Sequence, residues 1–375
     1  MDAVIIAGGL GTRLGPLTAR HPKHLLPVAG LPFLAHQIAK LARAGVGRVV
    51  IATSYRAEEF EPVLGSGAEF GLELLYVAER ERLGTAGAIR NAAALLVDTR
   101  PADPVIVLNG DILSDHDLAA QVRRHVDTGA RATLHLVEVA DATPYGSVPT
   151  DERGRVTAFL EKSPDPPTRQ VNAGCYVVAR GVIDEIPAGR PVSIERETFP
   201  LLVAADQRVM AYLESSYWLD LGTPAAFLKA SSDLVRGVAR SPAYADPGAE
   251  SLVLPSARVD PRASVRGGST ICPGAVVQCD VSVDGSIVLG GAFVEAGARV
   301  DHSVVGPGAR IGRDSVLCGA VVGDGARVGT RSALLDGAVV WCDVELADGS
   351  VRHGGDARVG HRDHAQTAPG SGEDV

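Results

Sequence analysis

Three glycines in four positions, Gly8-Gly9-Leu10-Gly11, follow the short apolar run of residues 3–7 and lead into Thr12 and Arg13. Glycine permits the tight turn and has no Cβ to hold a ligand away. The exposed main-chain N–H groups of such a loop can therefore wrap phosphate oxygens. Arg13 and Lys23, the latter in a Pro22-Lys23 block, bring two cations to the same loop. Two familiar glycine motifs are excluded. No Gly-Lys-Ser/Thr closes the run, and Leu14 stands where a dinucleotide fingerprint needs its third glycine.

Two carboxylates have the placement that a divalent ion needs. Asp111 ends Asn109-Gly110-Asp111, directly after the apolar run of residues 105–108, and Asp220 lies in Trp218-Leu219-Asp220-Leu221-Gly222-Thr223-Pro224. Two aspartates from distant strands, with phosphate oxygens and water, satisfy Mg²⁺, which takes few protein ligands. The plain structural alternatives are a turn residue for Asp111 and a helix cap near Pro224 for Asp220. Glu161-Lys162 and Asn172 offer a carboxylate and an amide for sugar hydroxyls and an ammonium for a sugar phosphate. In Leu83-Gly84-Thr85-Ala86-Gly87, Thr85 is placed either to cap the following helix or to set the loop against a nucleobase. Of 36 basic residues only four are lysine. Lys23 and Lys162 sit beside loops, where a compact charge suits phosphate, while Lys40 and Lys229 fit the solvated faces of helices. His302, His353, His361 and His364 lack metal-ligand spacing, and His302 reads as a turn residue, the alternative being the base of an acyltransferase.

Apolar runs at residues 3–7, 48–53, 73–78 and 105–108 alternate with helical periods at 33–42 and 86–96. This alternation predicts an α/β fold, a mixed but mostly parallel, doubly wound, Rossmann-like sheet that collects ligands at its carboxyl edge. Residues 131–213 are richer in strands and are expected to fold back on the same sheet, forming a lid over that edge. Residues 237–255, rich in Pro and Gly, read as a linker. Beyond it Val259, Val265, Ile271, Val277, Val283 and Leu289 recur every six residues. The phase resumes after one-residue deletions from Val294, from Val305 and from Val322 to Leu346. Such a period predicts a left-handed parallel β-helix of hexapeptide repeats. The expected organisation is 1–236, a linker at 237–255, a β-helix at 256–350 and a disordered tail at 351–375.

The net charge of −9 argues against a nucleic-acid footprint or an anionic membrane surface as partner. No apolar run is long enough to span a bilayer and no leader precedes the first strand. The five cysteines show no CxxC spacing, so a reduced, cytoplasmic setting is expected.

Taken together, the blocks Gly8–Leu14, Pro22-Lys23, Leu83–Gly87, Asn109–Asp111, Phe159–Lys162, Asn172–Gly174, Glu195–Pro200 and Trp218–Pro224 resemble the sugar-nucleotide pyrophosphorylases. Within that family they are most similar to those that join mannose 1-phosphate to GTP. The resemblance spans about residues 1–240. It implies a nucleotidyltransferase that condenses a sugar 1-phosphate with an NTP, here GTP, releasing pyrophosphate with Mg²⁺ as cofactor. Adenylyl or thymidylyl transfer and other sugar phosphates are the alternatives within the class; a non-catalytic regulatory subunit is the alternative outside it. The resemblance further implies that Gly8, Gly9, Gly11, Thr12, Arg13 and Lys23 hold the triphosphate and that Gly84 and Thr85 face the base. Asp111 and Asp220 would bind the metal, and Gly146, Glu161, Lys162 and Asn172 the sugar phosphate. Arg13, Lys23 and Asp111 would be the catalytic groups. Gly15 and His24 depart from the residues usual in this family. The hexapeptide domain implies a homo-oligomer.

Overall fold

The computed structural model describes residues 1–357 apart from 162 and 246. It divides into two compact units, Met1–Val253 with Arg266–Thr270, and Leu254–Val265 with the residues from Ile271 onward.

The first unit is built on a nine-stranded sheet. Its parallel core comprises β1 (Asp2–Ala7), β2 (Arg48–Thr53), β3 (Glu73–Ala78) and β4 (Pro104–Asn109), in the order β4–β1–β2–β3. Strands covered on both faces read as unbroken apolar runs, which is why residues 3–7 and 105–108 show no polar alternation. Ala3 and Ile5 point to one core with Leu34, Ile38 and Leu41 of helix α1 (Phe33–Arg43). Val4 joins the opposite core with Ala86, Ile89 and Ala92 of α2 (Gly84–Ala92).

After β4 the chain forms β5 (Ile112–Ser114), α3 (Leu118–Thr128) and β6 (Ala132–Glu138). There follow the short β7 (Gly146–Ser147) and β8 (Leu160–Glu161), then β9 (Gln170–Ala179) and β10 (Val209–Leu213). Residues 131–213 fold back on the same sheet, as expected: β9 inserts antiparallel between β4 and β6, and β10 pairs parallel with β6. A register shift between Asn172 and Tyr176, with Gly174 at φ +72°, bends the start of β9 beside the carboxyl end of β4. Last come β11 (Trp218–Asp220), antiparallel to β5, and α4 (Pro224–Val235). The stretch read as a linker is tied to this unit. Arg240 N donates to the Asp115 carboxylate at 3.1 Å, and Ser241 Oγ lies 2.7 Å from His36 Nδ1.

The second unit is built of three parallel ladders of short strands, consistent with a left-handed parallel β-helix. Val277, Val294, Ile311 and Val328 stack in one ladder, Val283, Val300, Leu317 and Leu334 in a second, and Val288, Val305, Val322 and Val340 in the third. The third ladder corrects one position. Val288, not Leu289, carries the inward phase and belongs to the central apolar core. Two six-residue steps and one five-residue step make each early coil, so the apparent deletions are the regular short side of a triangle. Val351–His353 and Asp356–Ala357 are strands paired with the preceding coil. Residues 358–375, including His361 and His364, lie outside the described residues.

Candidate functional site

The loop after β1 is held open from behind. Gly11 takes φ +66°, and Thr18 Oγ1 donates to the Gly11 carbonyl at 3.0 Å and the Gly15 carbonyl at 3.3 Å. Ser54, just past β2, donates to the Gly8 carbonyl at 2.7 Å. These bonds occupy carbonyls, and Thr12 and Arg13 remain exposed on the open side. The lysine of the Pro22-Lys23 block lies along the loop. A Cβ on Gly9 would stand 3.0 Å from Lys23 Cε, and one on Gly11 2.9 Å from Lys23 Cβ.

Lys23 Nζ donates to Asp111 Oδ2, with only 12% and 26% of the two side chains exposed. Burial pushes the Asp111 carboxyl upward, but the Lys23 ammonium, by charge and hydrogen bond, outweighs it and holds the group below the usual range. Asp111 is carried on a turn that cannot move toward β1, since Gly110 N donates to the Ile6 carbonyl at 2.9 Å and a Cβ there would lie 2.6 Å from that oxygen.

Asp220 comes to the same place through β11. Leu221 N donates to the Asp111 carbonyl at 2.9 Å, continuing the β5–β11 ladder. Burial, then the Asp111 charge, raise the Asp220 carboxyl above its ordinary range, against the opposing pull of Arg13 and Lys23. Its Oδ1 is buried without a hydrogen-bond partner. A buried oxygen of this kind is costly unless something coordinates it. Arg13 closes the site: a Cβ on Gly222 would fall 2.8 Å from Arg13 Cζ and 3.0 Å from Asp220 Oδ1. In the sequence Gly222 is one member of the Trp218–Pro224 motif. Its role here is to leave room for the guanidinium. Asp220 is not the cap of α4, because Thr223 Oγ1 accepts from Ala226 N at 3.2 Å.

His24 is fully enclosed, and burial, reinforced by the Lys23 charge, lowers it to about 3. It is a neutral ring beside the ion pair and adds no competing charge. Two carboxylates, one with an open oxygen, fit a divalent cation that takes most of its ligands from phosphate and water. Among the described residues no group of three or more His, Cys, Asp or Glu forms a closed protein cage for a metal.

The other expected residues that are described fall into two local clusters. Asn172 is spent locally, its Nδ2 donating to Tyr176 Oη at 2.7 Å and its Oδ1 accepting from Gly174 N at 3.1 Å. Gly146 pairs with Glu161 through the main chain. Lys162 lies outside the described residues. Gly84, at φ +71°, lets the 190–195 segment approach closely, since its Cβ would meet the Val192 carbonyl at 2.6 Å. Thr85 does not cap α2. It donates to Glu195 Oε2 at 2.7 Å and accepts from Ile194 N at 2.9 Å, so its hydroxyl supports the loop. Lys40, read as a solvated helix residue, is instead half-buried, donating to the Ser114 carbonyl at 2.8 Å. His302 is an exposed turn residue at φ +43°, 2.7 Å from Asp301.

Comparison with known proteins now bears on this edge. A Nucleotidyl transferase family model matches residues 2–237, and one for the GMPPB C-terminal domain matches 248–352. The chain belongs to the nucleotidyl transferase family. It is 50% identical to a Mycobacterium tuberculosis mannose-1-phosphate guanylyltransferase, covering 95% of this chain and 98% of that one. It is 36% identical to the mannose-1-phosphate guanylyltransferase catalytic subunit beta of Drosophila pseudoobscura, covering 72% and 71%. The solved structure of HddC from Yersinia pseudotuberculosis, complexed with GMP-PN, matches with a TM-score of 0.53 at 30% identity, covering 62% of this chain and 98% of that one. As a member of this family the chain is a nucleotidyltransferase of metal-dependent type. No helix among the described residues is long and apolar enough to cross a membrane.

Proposed function

We propose that this chain transfers the guanylyl group of GTP to mannose 1-phosphate, forming GDP-mannose and pyrophosphate. The observation that carries the reading is the meeting of Arg13, Lys23, Asp111 and Asp220 at the carboxyl edge of the first sheet. The relatives' names supply the base and sugar.

In this reading a phosphate oxygen of mannose 1-phosphate attacks the α-phosphorus of GTP in line. The bond from that phosphorus to the bridging oxygen breaks, and the electron pair leaves with pyrophosphate. The nucleophile is already ionised at neutral pH, so no protein base is required, and the neutral His24 supplies none. What the protein contributes is position and charge. The Gly8–Arg13 loop presents N–H groups to the triphosphate. Arg13 and Lys23 offset the charge that grows on the leaving pyrophosphate. Asp111 and Asp220 would hold Mg²⁺, which would supply positive charge to neutralise the phosphates. Gly84 and Thr85 shape the base pocket through the loop that they brace. Gly146, Glu161 and Lys162 would form the sugar-phosphate side, with Asn172 shaping it through its bonds to Tyr176 and Gly174.

The test is a pyrophosphate-release screen of four NTPs against a panel of sugar 1-phosphates. Preference for GTP with mannose 1-phosphate is expected, and preference for another pair overturns the assignment of substrates. Self-association through the β-helix belongs to the same proposal. It is supported by Val316 and Val351, exposed on one solenoid sheet, and light scattering checks it. Five free cysteines support a reducing, cytoplasmic setting.

A further inference from the structure

Helix α1 turns two polar side chains toward the segment that carries Asp111. Gln37, only 5% exposed, donates from its amide nitrogen to the Asn109 carbonyl at 2.9 Å and to the Ile112 carbonyl at 2.8 Å. These two carbonyls bracket Gly110-Asp111. One turn further along the helix, Lys40 Nζ donates to the Ser114 carbonyl at 2.8 Å and to Ser114 Oγ at 3.1 Å. Residues three apart on a helix share a face, so the two side chains grip successive points of one strand–turn–strand segment.

Packing does not explain a glutamine here. Its helix neighbours Leu34, Ile38 and Leu41 are fully buried and apolar. Gln37 Oε1 is itself buried without a partner, a cost that an apolar side chain of the same length would not incur. The residue is thus poorly suited to stabilising the core. What it does accomplish is specific: both its donors fix the turn from behind, while Gly110 N, bonded to the Ile6 carbonyl, fixes it in front.

We infer that Gln37 is a positioning residue, holding Asp111 in the orientation needed for the divalent ion and the triphosphate. This rests on the site reading given above. Groups that orient a metal ligand from behind typically change metal affinity 10–100-fold when removed.

The test measures Mn²⁺ binding to the enzyme–GTP complex by electron paramagnetic resonance, without sugar phosphate, in wild type, Gln37→Met, Gln37→Glu and Asp111→Asn. For Gln37→Met the Mn²⁺ dissociation constant is expected to rise about tenfold or more. In turnover, kcat should recover at high metal and the KM for mannose 1-phosphate should stay put, a split that loss of core stability would not produce. Should Gln37→Met fail to fold, Gln37→Glu, of nearly equal volume, carries the same comparison. Wild-type Mn²⁺ affinity in the folded Gln37 variants, with binding lost in Asp111→Asn, overturns this inference alone. Wild-type affinity in Asp111→Asn overturns the site reading, and this inference with it.

Discussion

Leu221 donates its main-chain N–H to the carbonyl of Asp111 at 2.9 Å, and that bond sets the spacing of the two acidic side chains. Asp111 follows the central strand β4, and Asp220 closes a strand more than a hundred residues later. The β5–β11 ladder makes them neighbours, close enough for the charge of Asp111 to raise the Asp220 carboxyl.

Asp220→Asn should separate function from stability. The carboxylate is half-buried, repelled by Asp111 and left with a buried, unpartnered oxygen, so removing its charge relieves unfavourable terms. Turnover is expected to fall about 10²–10³-fold, while the thermal midpoint holds or rises. Paired steady-state kinetics and calorimetry check this; a large drop in the midpoint would mean that Asp220 is a structural residue.

The ammonium of Lys23 is placed by the two glycines against which it lies. Lys23→Met should lower kcat by about 10²–10³, equivalent to roughly 3–4 kcal/mol. Gly9→Ala puts a methyl 3.0 Å from Lys23 Cε and 3.2 Å from its Nζ, displacing the charge without straining the backbone. It should reduce kcat about tenfold with little effect on stability. Full activity in Gly9→Ala would separate the position of Lys23 from catalysis.

Acid should unfold the first unit early. Burial lowers His24 and His135 to about 3 and His125 to about 4, against an ordinary value of 6.5. Between those limits the unfolded chain binds protons that the folded chain does not, so stability falls as pH drops from about 6.5. Each such histidine adds a slope of up to about 1.4 kcal/mol per pH unit. His135, whose two ring nitrogens are buried and unpartnered, is the sharpest case. His135→Leu should raise the urea midpoint more at pH 5 than at pH 8.

The solenoid depends on glycines where coils touch. A Cβ on Gly306 would lie 2.6 Å from the Val322 carbonyl oxygen and 2.7 Å from Gly323 C, main-chain atoms of the next coil. Gly306→Ala should therefore destabilise the β-helix by about 1–3 kcal/mol, read as a lower midpoint for that unit; an unchanged midpoint would show that the coils can part.

By itself the sequence determined the elements and the chemistry of the edge. Unbroken apolar strands, helical periods and a six-residue repeat are local signals, because burial on one or both faces constrains residue type directly. The same holds for Gly8–Arg13, Lys23 and Asp111, whose types and spacing pointed to phosphate and metal before any packing was known. What only the tertiary structure decided was pairing at a distance. Thr85 read as either a cap or a base-facing residue until Glu195 and Ile194 took its hydroxyl, and Lys40 read as solvated until Ser114 was found across from it. Gly222 and Gln37 carry no local signal, since their meaning lies in Arg13 and in the Asn109–Ile112 turn. Even the phase of Val288 needed the neighbouring coil, because a one-residue step shows its register only against the strand with which it pairs.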